Sequence, residues 1–391
     1  GINVLAGGQP PEYEFDGIVL SPGIPRKSED GVAALKQTEL LIGEIELASL
    51  FWNYRIVAIT GTNGKTTTTQ LVERALNHSG IRAISCGNIG KPFSQVVEEE
   101  EEEAVAVVEV SSFQLESIKD FHPQVSVYMN LAPDHLDRYA DMNAYSKAKE
   151  RIFENQQAQD LAVVQSDLGL ENLETDVVTF SSSVAEAHYT FRNGWIHFNG
   201  EPSIELKKTR LRGAHNAENV MATLAVAKRF EANLESTIEA IDSYEPLPHR
   251  YQWVATVDEV EYFNDSKATN PHALLKALQG YRNNVVLIAG GKNKGFDFSE
   301  FTSQISISCR AVIAIGASAN EIISAWEEVV ECKTAETLEK AVELSFLYRD
   351  EVEAVLFSPA CASFDMFKNF EERGERFMEA VLKLKETYKG E

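Results

Sequence analysis

Ala58-Ile-Thr-Gly-Thr-Asn-Gly-Lys-Thr-Thr67 is the stretch on which the reading of this chain turns. Arg55-Ile-Val-Ala-Ile-Thr60, which leads into it, is an apolar, β-branched run that predicts a strand. Gly61 and Gly64 let the backbone turn tightly and present N–H groups to an anion, and the pattern predicts a helix starting near Lys65 with its positive dipole end facing the same point. Strand, glycine turn, Gly-Lys-Thr and helix stand in the order a phosphate-binding loop needs, with Lys65 to neutralise β- and γ-phosphate oxygens and the Thr66 hydroxyl to hold a Mg²⁺. The general pattern G-x-x-x-x-G-K-[ST] asks for a further glycine where Ile59 stands. The competing reading is a plain Gly/Asn turn between a strand and a helix.

Downstream, strands and helices alternate, as in a parallel sheet covered on both faces. Leu71, Val72, Ala75 and Leu76 give the helix an apolar stripe and Gly80 stops it; Ile81 to Ser85 is a short strand, followed by the turn Gly87-Asn-Ile-Gly90. The acidic run Glu98 to Glu103 reads as a solvated helix end or loop, because adjacent like charges repel. Ala104-Val-Ala-Val-Val-Glu-Val110 is a buried-strand run interrupted by Glu109. An unpaired buried carboxylate is costly, so Glu109 should face a cation, either a nucleotide-bound Mg²⁺ or a structural Arg or Lys. Ser111-Ser-Phe-Gln-Leu115 follows, then a strand from Gln124 to Asn130, and just beyond it Pro133-Asp-His-Leu-Asp137. His135 thus stands at a strand's carboxyl end, where open α/β sheets bind ligands, with a structural histidine as the alternative.

Met142 to Asn155 reads as a helix burying Tyr145, Ala148, Ile152 and Phe153. Lys149 adjoins that face, either snorkelling or carrying a lowered amine pKa that makes it nucleophilic. Residues 160 to 212 are β-rich, with strands at Leu161 to Val164, Val177 to Phe180, Tyr189 to Phe191 and Trp195 to Phe198. Gly213-Ala-His-Asn-Ala-Glu-Asn219 opens a helix with a stripe of Ala217, Val220, Met221, Leu224 and Ala225. Asn216 and Asn219, three apart on its first turn, are placed to face one ligand or to act as caps.

Outward from this centre, residues 1 to about 50 read as a small α/β piece: strand Gly17-Ile-Val-Leu-Ser21, turn Pro22-Gly-Ile-Pro25, and a helical stretch from Asp30 to Leu50 broken near Gly43. Gly1-Ile-Asn-Val-Leu5 reads as the end of a strand whose partners lie upstream, so the chain is expected to be a trimmed form of a longer one. Tyr244-Glu-Pro-Leu-Pro-His249 reads as a linker, and a further α/β unit begins at Arg250, with parallel-type strands at Val285 to Ala289, Ala311 to Ile315 and Ala354 to Phe357. In it, Asn264-Asp-Ser-Lys-Ala-Thr-Asn270, Gly290-Gly-Lys-Asn-Lys294 and Ser358-Pro-Ala-Cys-Ala-Ser363 lie where ligand groups collect.

The 391 residues are 44% apolar, enough for two or three domains, and carry a formal charge of −24 from 60 Asp+Glu against 36 Lys+Arg. Such a surface repels nucleic acid and anionic membranes and points to a small-molecule substrate, which is itself anionic only if basic residues gather locally. Cys86, Cys309, Cys332 and Cys361 are scattered with no metal-ligand spacing, which fits a reducing cytoplasm. No apolar run of 18 residues and no signal peptide are seen, so no membrane insertion is expected.

Together these motifs resemble the Mur ligase family, and within it the D-glutamate-adding branch, from about Ser21 to the C-terminus. Thr60-Gly-Thr-Asn-Gly-Lys-Thr66 is similar to the family's shortened phosphate loop, which accounts for Ile59. His249-Arg250, Asn264 to Asn270, Ser358-Pro-Ala-Cys-Ala-Ser-Phe-Asp365 and Lys368-Asn-Phe370 carry the branch resemblance. It implies a three-domain α/β protein: a partial N-terminal Rossmann-like domain (1–50) binding the UDP-substrate, a central P-loop ATPase-like domain (51–247) and a C-terminal Rossmann-like domain (248–391). It implies ATP-dependent ligation in cytoplasmic peptidoglycan precursor synthesis. ATP phosphorylates the carboxylate of UDP-N-acetylmuramoyl-L-alanine, and the D-glutamate amine displaces phosphate from the acyl phosphate.

By the same resemblance Lys65 holds phosphate, within an ATP set of Gly61, Thr62, Asn63, Gly64, Lys65, Thr66, Thr67, Asn216, Asn219, Arg250 and Asp265. Thr66 and Glu109 hold one Mg²⁺, His135 a second, and Lys149 matches a carbamylated lysine that supports the metal. Ser21, Asn88 and His135 match contacts to the UDP-sugar, and Thr269, Lys294, Ser363, Phe364 and Phe370 match those around D-glutamate. Phe364 replaces an expected leucine, and Lys292 a smaller or acidic residue. The resemblance further implies a monomer and closure of the domains to complete the site. The alternatives are another Mur or folylpolyglutamate-type amide ligase using a different amino acid, and a nucleotide-binding protein without catalysis.

Overall fold

A computed structural model describes residues 15–24, 28–100, 102–132, 134–135, 138–170, 173–245, 248–278 and 281–388, without the side chains of 272 and 276. The strand expected at Gly1 to Leu5 lies outside them, as do Pro133, Leu136 and Asp137. The chain forms two compact units, Gly1–Tyr244 and Glu245–Glu391.

In the first unit, β1 (Ile18–Leu20) pairs in parallel with β2 (Leu41–Gly43) as a separate two-stranded sheet. The helical stretch expected from Asp30 to Leu50 is broken near Gly43 as expected, but the break includes a strand. The helix Glu29–Leu35, capped by the Ser28 hydroxyl, stops before β2, and a second helix runs Glu44–Phe51. Leu41-Ile-Gly43 is too short for its periodicity to separate strand from helix, and it becomes a strand because Ile18-Val-Leu20 offers an unpaired edge.

The main sheet has nine strands: β3 (Ile56–Thr60), β4 (Ala83–Gly87), β5 (Val105–Glu109), β6 (Val125–Tyr128), β7 (Leu161–Gln165), β8 (Asp176–Ser181), β9 (Tyr189–Arg192), β10 (Trp195–Phe198) and β11 (Glu201–Glu205). Their order is β11-β10-β9-β8-β7-β6-β3-β5-β4, parallel except at β9-β10-β11. Because β3 lies between β5 and β6, the loops leaving these three strands meet at one edge, the switch point at which such sheets bind ligands. Val57, Ile59, Val107 and Val127 pack on one face under the helices Lys65–His78 and Ala214–Arg229; Ala58, Val108 and Tyr128 pack on the other with Phe93, Phe121 and Phe153. Burial on both faces explains why these strands read as unbroken apolar runs.

The second unit is a six-stranded sheet ordered β12-β13-β17-β14-β15-β16, comprising β12 (Gln252–Val257), β13 (Val260–Asn264), β14 (Val285–Gly290), β15 (Cys309–Ile315), β16 (Glu331–Ala335) and β17 (Ala354–Phe357). Only the β12–β13 pair is antiparallel. The sequence pattern picks out β14, β15 and β17 and misses the others. The β12–β13 hairpin turns on Asp258 and Glu259, with φ of 48° and 66°, so it lacks the glycine that usually announces such a turn. β16 is a polar edge strand, Glu-Cys-Lys-Thr-Ala. Among the described residues no helix is long and apolar enough to cross a membrane.

Candidate active site

Gly64 stands ahead of the helix Lys65–His78 at φ 80°, and a Cβ there would lie 2.4 Å from Asn219 Oδ1, so only glycine fits. The first-turn N–H groups of that helix lack intrahelical partners, the usual basis of anion binding at a helix start. Lys65 folds back over the loop, its Nζ donating to the carbonyls of Gly61 at 2.8 Å and Thr62 at 2.9 Å.

Glu109 ends β5 and is 3% exposed. Thr66 Oγ1 donates to its Oε2 at 2.8 Å and Asn88 Nδ2 to its Oε1 at 2.9 Å. The Asn88 backbone N–H also bonds the Glu109 carbonyl, an approach allowed by Gly87, where a Cβ would stand 2.5 Å from that oxygen. Both side-chain donors are neutral, and among the described residues no basic side chain forms an ion pair with Glu109. A buried carboxylate beside a hydroxyl at the phosphate loop fits Mg²⁺, which binds through one or two carboxylates and takes its other ligands from water and phosphate. Among the described residues no three His, Cys, Asp or Glu side chains gather as a metal cage, so the donor set does not suit a structural zinc.

Lys149 is 1% exposed and so does not snorkel. Its Nζ donates to the Gly61 carbonyl at 2.9 Å and lies 4.7 Å from the centre of the Tyr145 ring. Burial first, and then the charge of Lys65, push its amine down to about 7, against the opposing pull of Asp134. His135 follows β6 at φ 53°, its ring packed against Phe113 at 4.8 Å and Tyr145 at 5.9 Å between centres. Lys65, Asn88, His135 and Lys149 line one cavity of about 360 Å³ together with Phe113 and Tyr145. Ser21 is exposed and outside that lining, whereas its neighbours Pro22 and Gly23 are part of it. Phe113 and Tyr145 are residues of the cavity that the sequence reading did not single out for function; an aromatic residue beside a serine pair or on a helical stripe looks like ordinary core.

Asn216 and Asn219 are buried, and their amides form a chain rather than standing open: Asn216 Nδ2 to Arg212 O at 2.9 Å, Asn219 Nδ2 to Asn216 Oδ1 at 3.1 Å, and Thr68 Oγ1 to Asn219 Oδ1 at 3.2 Å. This chain joins the helix Ala214–Arg229 to the one that starts the phosphate site.

Within the second unit, Asp265 follows β13 and accepts from Ser358 Oγ at 2.9 Å and from the Tyr251 N–H at 3.1 Å. Burial pushes its carboxyl up to about 7, although these two donors and Arg250 pull the other way. Arg250 and Lys294 are exposed, Thr269 is half-buried and Ser363 buried. Phe364 is 69% exposed, and Phe370 lies 6.2 Å from the His249 ring. Arg373 ties two of the three loops together: Nε to Ser266 Oγ at 3.0 Å, Nη2 to Ser266 O at 2.8 Å and Nη1 to Cys361 O at 3.0 Å. It is 1% exposed, and burial lowers its guanidinium to about 10. Nothing in its surroundings in the sequence marks it out from a surface arginine on a terminal helix.

Residues 59–227 match the family model of the Mur ligase middle domain and residues 249–361 that of the Mur ligase glutamate ligase domain. The chain is 40% identical over 394 residues to UDP-N-acetylmuramoylalanine–D-glutamate ligase of Aquifex aeolicus, covering 97% of this chain and 93% of that protein. It is 41% identical to the enzyme of the same name from Geotalea uraniireducens, covering 94% and 83% respectively. Among solved structures it resembles MurF ligase from Thermotoga maritima in complex with ADP, with a TM-score of 0.59 at 17% identity over 96% of each chain. FolC of E. coli, in complex with DHPP and ADP, gives 0.54 at 15% identity over 88% of this chain and 93% of that one, so the two share a fold.

Proposed function

The chain belongs to the Mur ligase family and is an ATP-dependent, amide-forming ligase of peptidoglycan precursor synthesis, and we propose that it joins D-glutamate to UDP-N-acetylmuramoyl-L-alanine at the cavity lined by Lys65, His135 and Lys149. The observation that carries this assignment of the site is that Lys65, His135 and Lys149 line one cavity, with the Thr66–Glu109 pair tied to its lining through Asn88, in a chain of formal charge −24. A carboxylate and the γ-phosphate are both anions, and bringing them into contact takes locally concentrated positive charge. Lys65 neutralises phosphate, Thr66 and Glu109 hold one Mg²⁺ and His135 a second. Bound Mg²⁺ supplies the Lewis-acid chemistry that shields charge on the phosphoryl and acyl oxygens.

The substrate carboxylate oxygen bonds to the γ-phosphorus as ADP departs; the D-glutamate amine then bonds to the acyl carbon and phosphate leaves with that oxygen. The protein's share is placement and charge neutralisation. Lys149, with its amine held near 7, is able to take up CO₂, forming an N–C bond and releasing a proton. The product is a carboxylate, which turns a buried cation into a metal-supporting anion.

Ser21, Asn88 and His135 are assigned to the UDP-sugar. Gly61 to Thr67, Asn216, Asn219, Arg250 and Asp265 are assigned to the nucleotide, and Thr269, Lys294, Ser363, Phe364 and Phe370 to D-glutamate. The domain limits 1–50, 51–247 and 248–391 are part of the same reading. The relatives at 40% identity carry the D-glutamate ligase name, which does not favour a folate-type ligase.

Phosphate release from ATP, measured with UDP-N-acetylmuramoyl-L-alanine across a panel of D- and L-amino acids, tests the assignment. Release with D-glutamate alone is the expected result. Release with a different amino acid would overturn the substrate, and ATP binding without release in the presence of both substrates would overturn catalysis.

A further inference from the structure

The segment that leaves β6 is zipped onto the phosphate loop beyond the end of the sheet. The Met129 N–H bonds the Thr60 carbonyl at 2.9 Å and the Thr62 N–H bonds the Asn130 carbonyl at 3.0 Å. The Ala132 N–H donates to Thr62 Oγ1 at 3.0 Å. Between these contacts, the Asn130 side chain meets the Asn63 peptide unit at two points. The Asn63 N–H donates to Asn130 Oδ1 at 2.8 Å, and Asn130 Nδ2 donates to the Asn63 carbonyl at 3.1 Å. A side-chain amide thus stands where a neighbouring strand's peptide would, and closes a ring that fixes the Asn63 peptide plane.

We infer that Asn130 is a positioning residue that sets the phosphate loop in its nucleotide-binding shape and holds it in register with His135. The inference rests on the nucleotide site described above. Gly61 and Gly64 adopt φ of 148° and 80°, so an unclamped loop would have many shapes open to it and would lose that freedom each time a nucleotide bound. The clamp takes the cost at folding instead, which is how preorganisation raises affinity. It also selects donors: the Thr62 and Asn63 amides are turned to Asn130, while the amides of Gly64 and Thr66 stay at the helix start. His135 lies five residues further along the same segment, and Tyr145, packed on its ring, reaches Thr62 Oγ1 at 3.5 Å. The anion-binding loop is therefore braced as far as Ala132, and Tyr145 ties it to the cavity histidine.

A matched control exists in the same unit. Asn77 makes the same two-point pair with Ala83, Nδ2 to O at 2.9 Å and N–H to Oδ1 at 3.0 Å, at the other end of the helix Lys65–His78 and outside the cavity lining. The test compares Asn130→Ala, Asn130→Asp and Asn77→Ala with the parent chain, measuring the ADP dissociation constant at fixed Mg²⁺, KM for ATP and for UDP-N-acetylmuramoyl-L-alanine, and Tm. Asn130→Asp keeps the acceptor for the Asn63 N–H and sets an oxygen against the Asn63 carbonyl, so a substitution of nearly equal size should not rescue. Both Asn130 variants should raise the ADP dissociation constant and KM for ATP by about tenfold or more, with a smaller rise in the UDP-substrate KM through His135. Asn77→Ala should lower Tm by a comparable amount and leave the ADP constant unchanged. An ADP constant no more affected by the Asn130 variants than by Asn77→Ala would overturn the inference. A parent chain that binds ADP but ligates nothing would overturn the functional reading instead, and the ADP comparison would still decide the role of Asn130.

Discussion

Lys149 shows how a single side chain changes its chemistry with its surroundings. Burial and the nearby Lys65 charge hold its amine near 7 instead of the ordinary 10.5, so it becomes mostly neutral as pH rises through 7. Only the neutral amine takes up CO₂, and activity that depends on Lys149 should climb across that pH and level off above it. Lys149→Ala should lose about a hundredfold or more in turnover, with partial recovery on adding small carboxylic acids. A variant of full activity, or one that no carboxylic acid revives, would contradict the carbamate role. Lys65→Ala should cost about a thousandfold in turnover with Tm little changed, since the side chain caps two loop carbonyls and supports no core. Kinetics and thermal melts on the same preparation would separate the two effects.

The contrast between two glycines belongs to the level of the helix Lys65–His78. Gly64 and Gly80 flank it with φ of 80° and 77°, so alanine pays a similar backbone cost at either position, about 1 kcal/mol. At Gly80 nothing lies within 4 Å of the new Cβ, whereas at Gly64 it meets Asn219 Oδ1 at 2.4 Å. Gly64→Ala should therefore destabilise the chain by more than Gly80→Ala, by about 1–3 kcal/mol in urea titrations, and should alone weaken ADP binding. Equal effects would mean that the Asn219 contact has no energetic role.

The same elements show why parts of the fold were legible in the sequence. β3, β5, β6, β14, β15 and β17 announce themselves because burial on both faces demands continuous apolar runs. Glu109 stood out as the one acid inside such a run, and its burial follows from that position. β2 and β16 did not show, because β2 is only three residues long and β16 is a polar edge strand, so neither carries a continuous apolar run. Asn130 and Arg373 were illegible as site residues because their meaning lies in the backbone groups they reach, at Asn63 and at Ser266 and Cys361. Motif spacing pointed to the side chains proposed to touch phosphate and missed those that hold the motifs in place.

At the scale of the whole molecule, each unit has its own core, and titration of one buried group should tune the second. Asp265 is raised from an ordinary 3.8 to about 7, mainly by burial. The folded chain then holds a proton that the unfolded chain has released between those values. Its contribution to stability is fully present below about 4 and is lost as pH rises through about 7. The urea midpoint of the unfolding step assigned to residues 245–391 should fall from pH 5 to pH 8, and Asp265→Asn should flatten the slope. A slope unchanged in the variant would place its origin elsewhere.

In the proposed reaction one cavity brings the γ-phosphate of ATP to a substrate carboxylate, and an amine then displaces phosphate from the acyl carbon. UDP-N-acetylmuramoyl-L-alanine labelled with oxygen-18 in its carboxylate, incubated with ATP, Mg²⁺ and D-glutamate, tests this directly by mass analysis of the phosphate released. Transfer of one labelled oxygen into each phosphate is the predicted result, because the acyl oxygen leaves with phosphorus when the amide forms. Amide product accompanied by unlabelled phosphate would contradict the account.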